Sequence, residues 1–149
     1  MKNTENSRSL LATLWSGFLI FLCGFLANTV IGFVYGTMIG LQTRGDVAVI
    51  SAKMQMFTSS PMFYGLLLLV VCVVAFWRGR VMGRRFDRRT AAKNIVLAVV
   101  LGMLLRTIVL AALARARMSA LAPWLVGELL LALLIGILAT RSVRRSDVH

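Results

Sequence analysis

Four long apolar segments dominate this sequence and restrict it to one kind of fold. They span residues 10–41, 61–77, 95–114 and 121–140, and only the last two contain a charged residue. An α-helix of about 20 residues crosses the roughly 30 Å hydrocarbon core of a bilayer, and soluble proteins rarely contain several such runs. The sequence therefore predicts an all-α integral membrane protein whose four transmembrane helices form two hairpins.

Composition and length favour a single membrane domain. The chain has 149 residues, of which 59% are hydrophobic, and its mean hydropathy is +0.85. Soluble domains contain only about 45–50% apolar residues. We expect a transmembrane domain over residues 10–140, flanked by cytoplasmic tails at residues 1–9 and 141–149. The first apolar run is too long for the roughly 7–15-residue core of a signal peptide, so we expect it to remain as the first span.

The distribution of positive charge predicts how the helices cross the membrane. The formal net charge is +12, and Lys and Arg cluster at the ends of the apolar segments. Of the 17 basic residues, 12 flank one side of the predicted arrangement, four flank the other side, and Arg106 lies within the third segment. Because basic residues are retained on the cytoplasmic side, this bias predicts that both chain ends are cytoplasmic. The expected location is a bacterial-type inner membrane, crossed several times.

The segment between the second and third spans, residues 78–94, is predicted to be a basic cytoplasmic loop. Its seven basic residues are opposed by Asp87 alone. They are Arg78, Arg80, Arg84, Arg85, Arg88, Arg89 and Lys93. We expect this surface to contact anionic lipids or an acidic partner protein. Nucleic acid is not the expected partner, because no series of aromatic side chains alternates with these charges to stack on bases.

Two opposite charges lie within the third and fourth apolar segments at matching depths. Arg106 comes eight residues before Ala114, and Glu128 comes seven residues after Leu121. At about 1.5 Å of rise per residue, both side chains lie roughly 10–12 Å below the same membrane surface. A charge inside a bilayer costs at least about 2.5–3.5 kcal/mol, and pairing with an opposite charge lowers that cost. We therefore predict an intramembrane ion pair between Arg106 and Glu128.

Small or amide residues recur at every fourth position in three of the apolar segments. In the first segment they are Gly24, Asn28, Gly32, Gly36 and Gly40. In the third and fourth segments they are Gly102, Ala132 and Gly136, on the same helix faces as the charged pair. Small residues let helix backbones approach closely in lipid. The long first stripe fits packing within the chain, self-association through Asn28, or the lining of a solute path, and the sequence leaves these three open.

The connector between the first two spans contains a short amphipathic pattern. Val47, Ile50, Met54 and Phe57 fall on one side of a helix, and polar residues lie opposite. We predict a short helix on the outer surface of the membrane. A lid or a partner-binding element is the functional alternative for it.

No pattern in the sequence supports an enzymatic or metal-binding function. The one histidine is His149, so no imidazole base or ligand is expected in the membrane. The aspartates lie in separate connectors, and no nucleophile, zinc or phosphate-binding motif is present. Cys23 and Cys72 are isolated in different segments and are expected to be free thiols. We therefore expect no catalytic residue, no metal and no cofactor.

Two functions agree with these patterns. The first is a non-enzymatic accessory or assembly subunit that packs against other membrane helices or a second copy, and presents its basic face to a partner or to anionic lipid. The second is a small oligomeric transporter or channel, in which Glu128 binds a proton or cation and Arg106 is its counter-charge. We favour the first, because nearly every informative residue is typical of helix packing or membrane topology.

Overall fold

Five α-helices and no strand make up the described part of the chain, which comprises residues 2–114 and 118–142 of a computed structural model. Side chains are described for residues 7–109, 111–112 and 124–142. The helices are α1 (Lys2–Gln42), α2 (Val47–Thr58), α3 (Pro61–Arg85), α4 (Arg88–Ala114) and α5 (Met118–Ser142). Residues 115–117 and most of the predicted C-terminal tail lie outside the described residues.

Four of these helices are long and apolar enough to cross a membrane. Within the described residues, the candidate spans are Ser7–Gln42, Pro61–Arg85, Arg88–Val109 and Trp124–Ser142. The remaining short helix, α2, forms where a short helix between the first two spans is predicted. The prediction of an all-helical chain with four helices that could span a membrane is confirmed for the described residues.

Local sequence signals set where α2, α3 and α4 begin. Asp46 accepts hydrogen bonds from two backbone N–H groups in the first turn of α2, at 3.0 and 3.2 Å. Ser60 accepts one from the first turn of α3 at 3.3 Å, and Asp87 accepts one from Thr90 of α4 at 3.2 Å. Short polar side chains at these positions satisfy backbone donors that the first turn of a helix leaves without partners.

The predicted basic loop is almost entirely helical. α3 continues to Arg85 and α4 begins at Arg88, so residues 86–87 alone connect them. Hydropathy marks the end of an apolar surface, whereas Arg and Lys are good helix formers and allow a helix to continue past it. Arg84 and Arg85 lie in the last turn of α3, where cations interact favourably with the helix dipole. α1 likewise begins at Lys2, within the predicted N-terminal tail.

The four long helices form a bundle in which α3 and α4 lie between α1 and α5. Both α1 and α5 pack on these two central helices, and α1 does not touch α5 within the described residues. Ser9 bonds to Asn94 and Gly24 lies beside Arg106, so α1 and α4 run parallel. The most extensive packing joins α1 to α4 and α3 to α5, across the two predicted hairpins rather than within them.

The two ends of the bundle differ chemically. The start of α1, the end of α3, the start of α4 and the end of α5 meet at one end, which we call the basic end. Its exposed basic residues are Arg8, Arg80, Arg84, Arg85, Arg88, Arg89, Lys93 and Arg141. Trp15 and Trp77 are exposed near this end, and Tyr64 stacks on Trp124 near the opposite end with ring centroids 5.0 Å apart. Trp and Tyr prefer membrane–water interfaces, so these positions fit the two surfaces of a bilayer.

Two close helix crossings hold the bundle together. At the crossing of α1 and α4, a Cβ added to Gly102 would lie 2.7 Å from the carbonyl oxygen of Gly17. At the crossing of α3 and α5, a Cβ added to Gly79 would lie 2.5 Å from the carbonyl oxygen of Gly136. The helices therefore meet backbone to backbone, as small residues allow in lipid. Buried apolar residues around these crossings include Ile20, Val71, Ala75, Ile95, Ala98, Val99 and Ala132.

α1 extends past the rest of the bundle at the end opposite the basic end. It has 41 residues, whereas α3, α4 and α5 have 25, 27 and 25. Because α1 and α4 are parallel and Gly24 lies beside Arg106, the end of α4 at Ala114 is level with Gly32. The remaining residues of α1, 33–42, extend about 15 Å further. This projecting part contacts α2, which folds back along it.

Candidate functional site

The structure brings Arg106 and Glu128 together in the interior of the bundle. The Nη1 group of Arg106 donates a hydrogen bond to Oε1 of Glu128, and the two side chains form an ion pair. The residues are 4% and 8% exposed, respectively. This contact links α4 to α5, and it is the only ion pair among the described residues.

The two other long helices close over this pair. Gly24 of α1 faces it, because a Cβ added there would lie 3.6 Å from Cδ and 3.8 Å from Nη1 of Arg106. The same Cβ would lie 3.5 Å from the side chain of Val71 on α3, which is fully buried. All four long helices therefore contribute to the surroundings of the pair. A side chain larger than alanine at position 24 would displace the guanidinium group.

One polar atom of the pair has no partner. Arg106 Nε is buried without a hydrogen bond, and it is the only such side-chain nitrogen or oxygen in the part of the chain that the structure describes. A buried N–H group without an acceptor costs about 1–3 kcal/mol. Arg106 Nε is therefore an unsatisfied donor inside the site.

The described residues of the site can hold charge but include no cluster of ligands of the kind that a metal centre needs. No group of three or more His, Cys, Asp or Glu residues that could hold a metal occurs among the described residues. Tyr64 and Cys72 lie within electrostatic range of Arg106 and Glu128, respectively. Cys72 and Cys23 are both free and partly buried. A proton bound to Glu128 would leave the guanidinium group without a counter-charge in a medium of low dielectric constant.

The predicted small-residue stripe on α1 is divided between three environments. Gly24 faces the charge pair. Asn28 is half-buried, and a Cβ added to Gly32 would meet no atom within 4 Å. Gly36 and Gly40 lie under α2, whose side chains would be 3.5 and 3.9 Å from the added Cβ atoms. The stripe therefore packs within the chain at both ends and is open around Gly32.

The packing residues predicted beside the pair all lie at helix contacts. Gly102 meets α1 at the Gly17 crossing, and Gly136 meets α3 at the Gly79 crossing. Ala132 is fully buried. Gly136 also faces α4, as predicted, because a Cβ added there would lie 2.9 Å from the side chain of Ile95. The prediction did not include the approach of α1 to Gly102 and of α3 to Gly136. The sequence of one segment does not show which second helix lies against it, so neither crossing could be predicted from the pattern alone.

Six of the seven residues predicted for the basic face are exposed, but Arg78 is not. The exposed residues are Arg80, Arg84, Arg85, Arg88, Arg89 and Lys93. Arg78 is only 8% exposed, and its Nε and Nη2 donate hydrogen bonds to Oγ of Ser16 at 2.9 and 2.8 Å. Because α3 stays helical past its apolar run, Arg78 shares the core-facing side of the helix with Val71, Ala75 and Met82.

Sequence reasoning missed a buried polar layer near the basic end. Its members include Thr13, Ser16, Arg78 and Asn94. Asn94 Nδ2 donates to Ser9 Oγ at 2.8 Å, which links α4 to α1 as the Ser16–Arg78 contact links α3 to α1. The available signal was spacing: Arg78 continues the i, i+4, i+7 series that begins at Val71.

Comparisons of the chain with protein-family models, with curated proteins and with solved structures each find no match. The function proposed for it therefore depends on the geometry of the described residues.

Proposed function

We propose that this protein is a non-enzymatic accessory or assembly subunit of a bacterial-type inner membrane. In this proposal, both chain ends and the basic end of the bundle face the cytoplasm. The projecting part of α1 packs against another membrane protein or against a second copy of the chain. The observation that carries the proposal is the length of α1 beyond the bundle.

The apolar part of α1 is longer than a bilayer covers. Residues 10–41 are 32 residues of uncharged helix, which extend about 48 Å. At a typical tilt of about 20°, they reach about 45 Å along the membrane normal, roughly 15 Å more than the hydrocarbon core. This excess equals the length of about 15 Å by which α1 extends beyond the end of α4. A partner protein that covers this extra length of α1 would explain why its side chains are apolar.

The apolar surface at this end is shared by α1 and α2. Phe33 and Leu41 on α1 are 74% and 80% exposed, and Val47 and Met56 on α2 are 77% and 75% exposed. Gly32 has no side chain over it and allows a second helix to approach closely. Large exposed apolar surfaces outside lipid are typical of protein–protein contacts. These features favour helix association over a role for the chain alone.

The charge pair has a structural role in this proposal. It joins α4 to α5, and Gly24 and Val71 bring the other two long helices against it. Removal of either partner would leave a buried charge uncompensated, which strongly destabilises a fold. The exposed basic residues would face anionic lipid or an acidic surface of the partner protein.

Mass determination after purification in a mild detergent tests the proposal. The wild type should form a defined oligomer or retain a second protein. Gly32→Leu should abolish this association and leave the fold intact, because position 32 has open space around it. Gly65→Leu on α3 is the matched control: Gly65 is equally open, so the variant should keep the association. A wild-type chain that is monomeric and without a partner would overturn the proposal.

One observation favours a second function, a small oligomeric transporter or channel. Glu128 is a buried carboxylate paired with Arg106, so it would exchange between the guanidinium group and a transported proton or cation. Flux into liposomes tests this function. A variant Glu128→Gln that folds but transports nothing would support it, whereas flux equal to that of the wild type would reject it.

A further inference from the structure

The guanidinium group of Arg78 is held in place by a single hydroxyl group. Its Nε and Nη2 both donate to Ser16 Oγ, at 2.9 and 2.8 Å. Ser16 Oγ donates its own hydrogen to the carbonyl oxygen of Ala12 at 2.7 Å, so its lone pairs are left to accept from Arg78. This arrangement fixes the plane of the guanidinium group and leaves Nη1 for another acceptor.

No acidic side chain among the described residues neutralises Arg78. The one ion pair there joins Arg106 to Glu128. The charged residue that acts on Arg78 is Arg85, a second cation. The ring of Trp77 lies 5.4 Å from Arg78 Cζ and provides a cation–π contact, but no negative charge. Because a buried cation without a counter-charge is costly, and the described residues supply none, a bound anion would be favoured at this position.

Part of this guanidinium group reaches the molecular surface. Arg78 keeps 8% of its surface exposed, and its hydrogen bonds use only Nε and Nη2. Arg106 Nε is the only fully buried side-chain nitrogen or oxygen without a hydrogen bond among the described residues. Nη1 of Arg78 also has no hydrogen bond. Since it is not among the fully buried atoms without a partner, it must keep some exposed surface. Through this surface Nη1 can donate to an external acceptor.

The surface at Arg78 lies where phospholipid headgroups are expected. Trp15 and Trp77 directly precede Ser16 and Arg78 in the chain, and they are 54% and 55% exposed. Indole rings prefer the interface between lipid and water. The exposed Arg80 follows on α3 toward the basic end. Arg78 is thus placed at the level of the phosphate groups of one leaflet.

We propose that Arg78 is a binding site for the phosphate group of an anionic phospholipid at the basic end of the bundle. Nη1 donates to the phosphate oxygens, which match the planar, paired donors of arginine. Ser16 holds the guanidinium group in the orientation that binds. The exposed basic residues attract anionic lipid to this leaflet without forming a specific site. The site extends the basic face of the proposed function, but it needs no partner protein.

Thermal unfolding of the detergent-purified chain with added phosphatidylglycerol tests the site. This lipid should raise the Tm of the wild type, because a ligand that binds only the folded chain stabilises it. Arg78→Gln should need about tenfold more lipid, or more, for the same rise, because charge-assisted hydrogen bonds are lost. Arg80→Gln makes the same charge change at an exposed neighbour and should respond as the wild type does. Equal responses of the two variants would overturn the specific site.

Two other additions identify the ligand. Inorganic phosphate at the same concentration should raise the Tm of the wild type much less, because it does not concentrate in the micelle. Phosphatidylcholine, which has a phosphate but no net charge, should also raise it much less. A response to inorganic phosphate equal to that of phosphatidylglycerol would overturn the assignment to a lipid.

If Arg78→Gln does not fold, a salt series on the wild type tests whether phosphatidylglycerol binds at Arg78 or only through surface charge. Contacts of a buried charge are screened less than those of surface charges. The rise in Tm caused by phosphatidylglycerol should therefore persist at about 1 M salt, where the Debye length is only about 3 Å. Its disappearance would overturn the proposal. None of these measurements depends on a partner, so failure of this site and failure of the proposed function are distinguishable.

Discussion

The Arg106–Glu128 pair provides the most direct test of how this bundle is stabilised. The two residues are 4% and 8% exposed, and Gly24 closes over them. Glu128→Leu leaves a buried guanidinium group without a counter-charge, and Arg106→Met leaves a buried carboxylate. Removing one member of a buried ion pair costs about 3–5 kcal/mol. Each single variant should therefore lower the free energy of unfolding by about 3–5 kcal/mol.

The double variant Arg106→Met/Glu128→Leu should recover most of this loss. Met follows the course of the arginine stem beside Gly24, and no charge is left unpaired. Replacing a buried ion pair by apolar residues is often neutral or stabilising. The change also removes Arg106 Nε, which is buried without a partner. We expect the double variant to lie within about 1 kcal/mol of the wild type, so the two changes should be non-additive by at least about 5 kcal/mol.

Unfolding of the chain in detergent micelles, followed by far-UV circular dichroism during an SDS titration, measures these differences. Arg80→Met is the control, because it removes an exposed arginine from α3 and should change stability by less than about 0.5 kcal/mol. Additive losses in the double variant would refute the reasoning. Single-variant losses as small as that of Arg80→Met would refute it as well.

Two further predictions concern a helix crossing and a helix start. Gly79→Ala should destabilise the bundle by about 1–3 kcal/mol in the same assay, because the new Cβ would lie 2.5 Å from the carbonyl oxygen of Gly136. Gly65→Ala on the same helix has open space and should be neutral or slightly stabilising; equal effects of the two changes would contradict the close crossing. Side-chain and backbone hydrogen bonds from Thr90 hold the pKa of Asp87 below its usual value of 3.8, so the ionised carboxylate stabilises the start of α4. This contribution is fully present above about pH 3.8 and is lost as the pH falls through the lower pKa of the folded state. The Tm advantage of the wild type over Asp87→Asn should shrink only in that acid range, and a difference that is constant with pH would contradict the assignment.

The helices that could span a membrane were predictable because their signal is local. Apolar runs such as residues 10–41 and 61–77 are long enough to span a bilayer, and each lies within a helix of the structure. The starts of α2 and α3 follow from Asp46 and Ser60, whose side chains bond the first turn. The end of α3 was not predicted correctly, because hydropathy reports where apolar surface stops and not where helical hydrogen bonding stops.

Part of the candidate site could also be predicted from local sequence. The depths of Arg106 and Glu128 follow from counting residues along two helices, which requires only the rise per residue. What surrounds the pair does not follow from such a count. Gly24 lies beside Arg106 because α1 runs parallel to α4, and the sequence of α1 alone fits several neighbours equally well.

The sequence by itself determined the number and apolar character of the long helices, and the matching positions of the two charges along α4 and α5. Only the tertiary structure decided which helix faces meet. Arg78 is buried because a hydroxyl group 62 residues away, on Ser16, accepts its hydrogen bonds. The Gly17–Gly102 and Gly79–Gly136 crossings select the neighbours of α4 and α5. Such choices depend on the fit between two surfaces, because close packing gains its energy from pairs of segments and not from either segment alone.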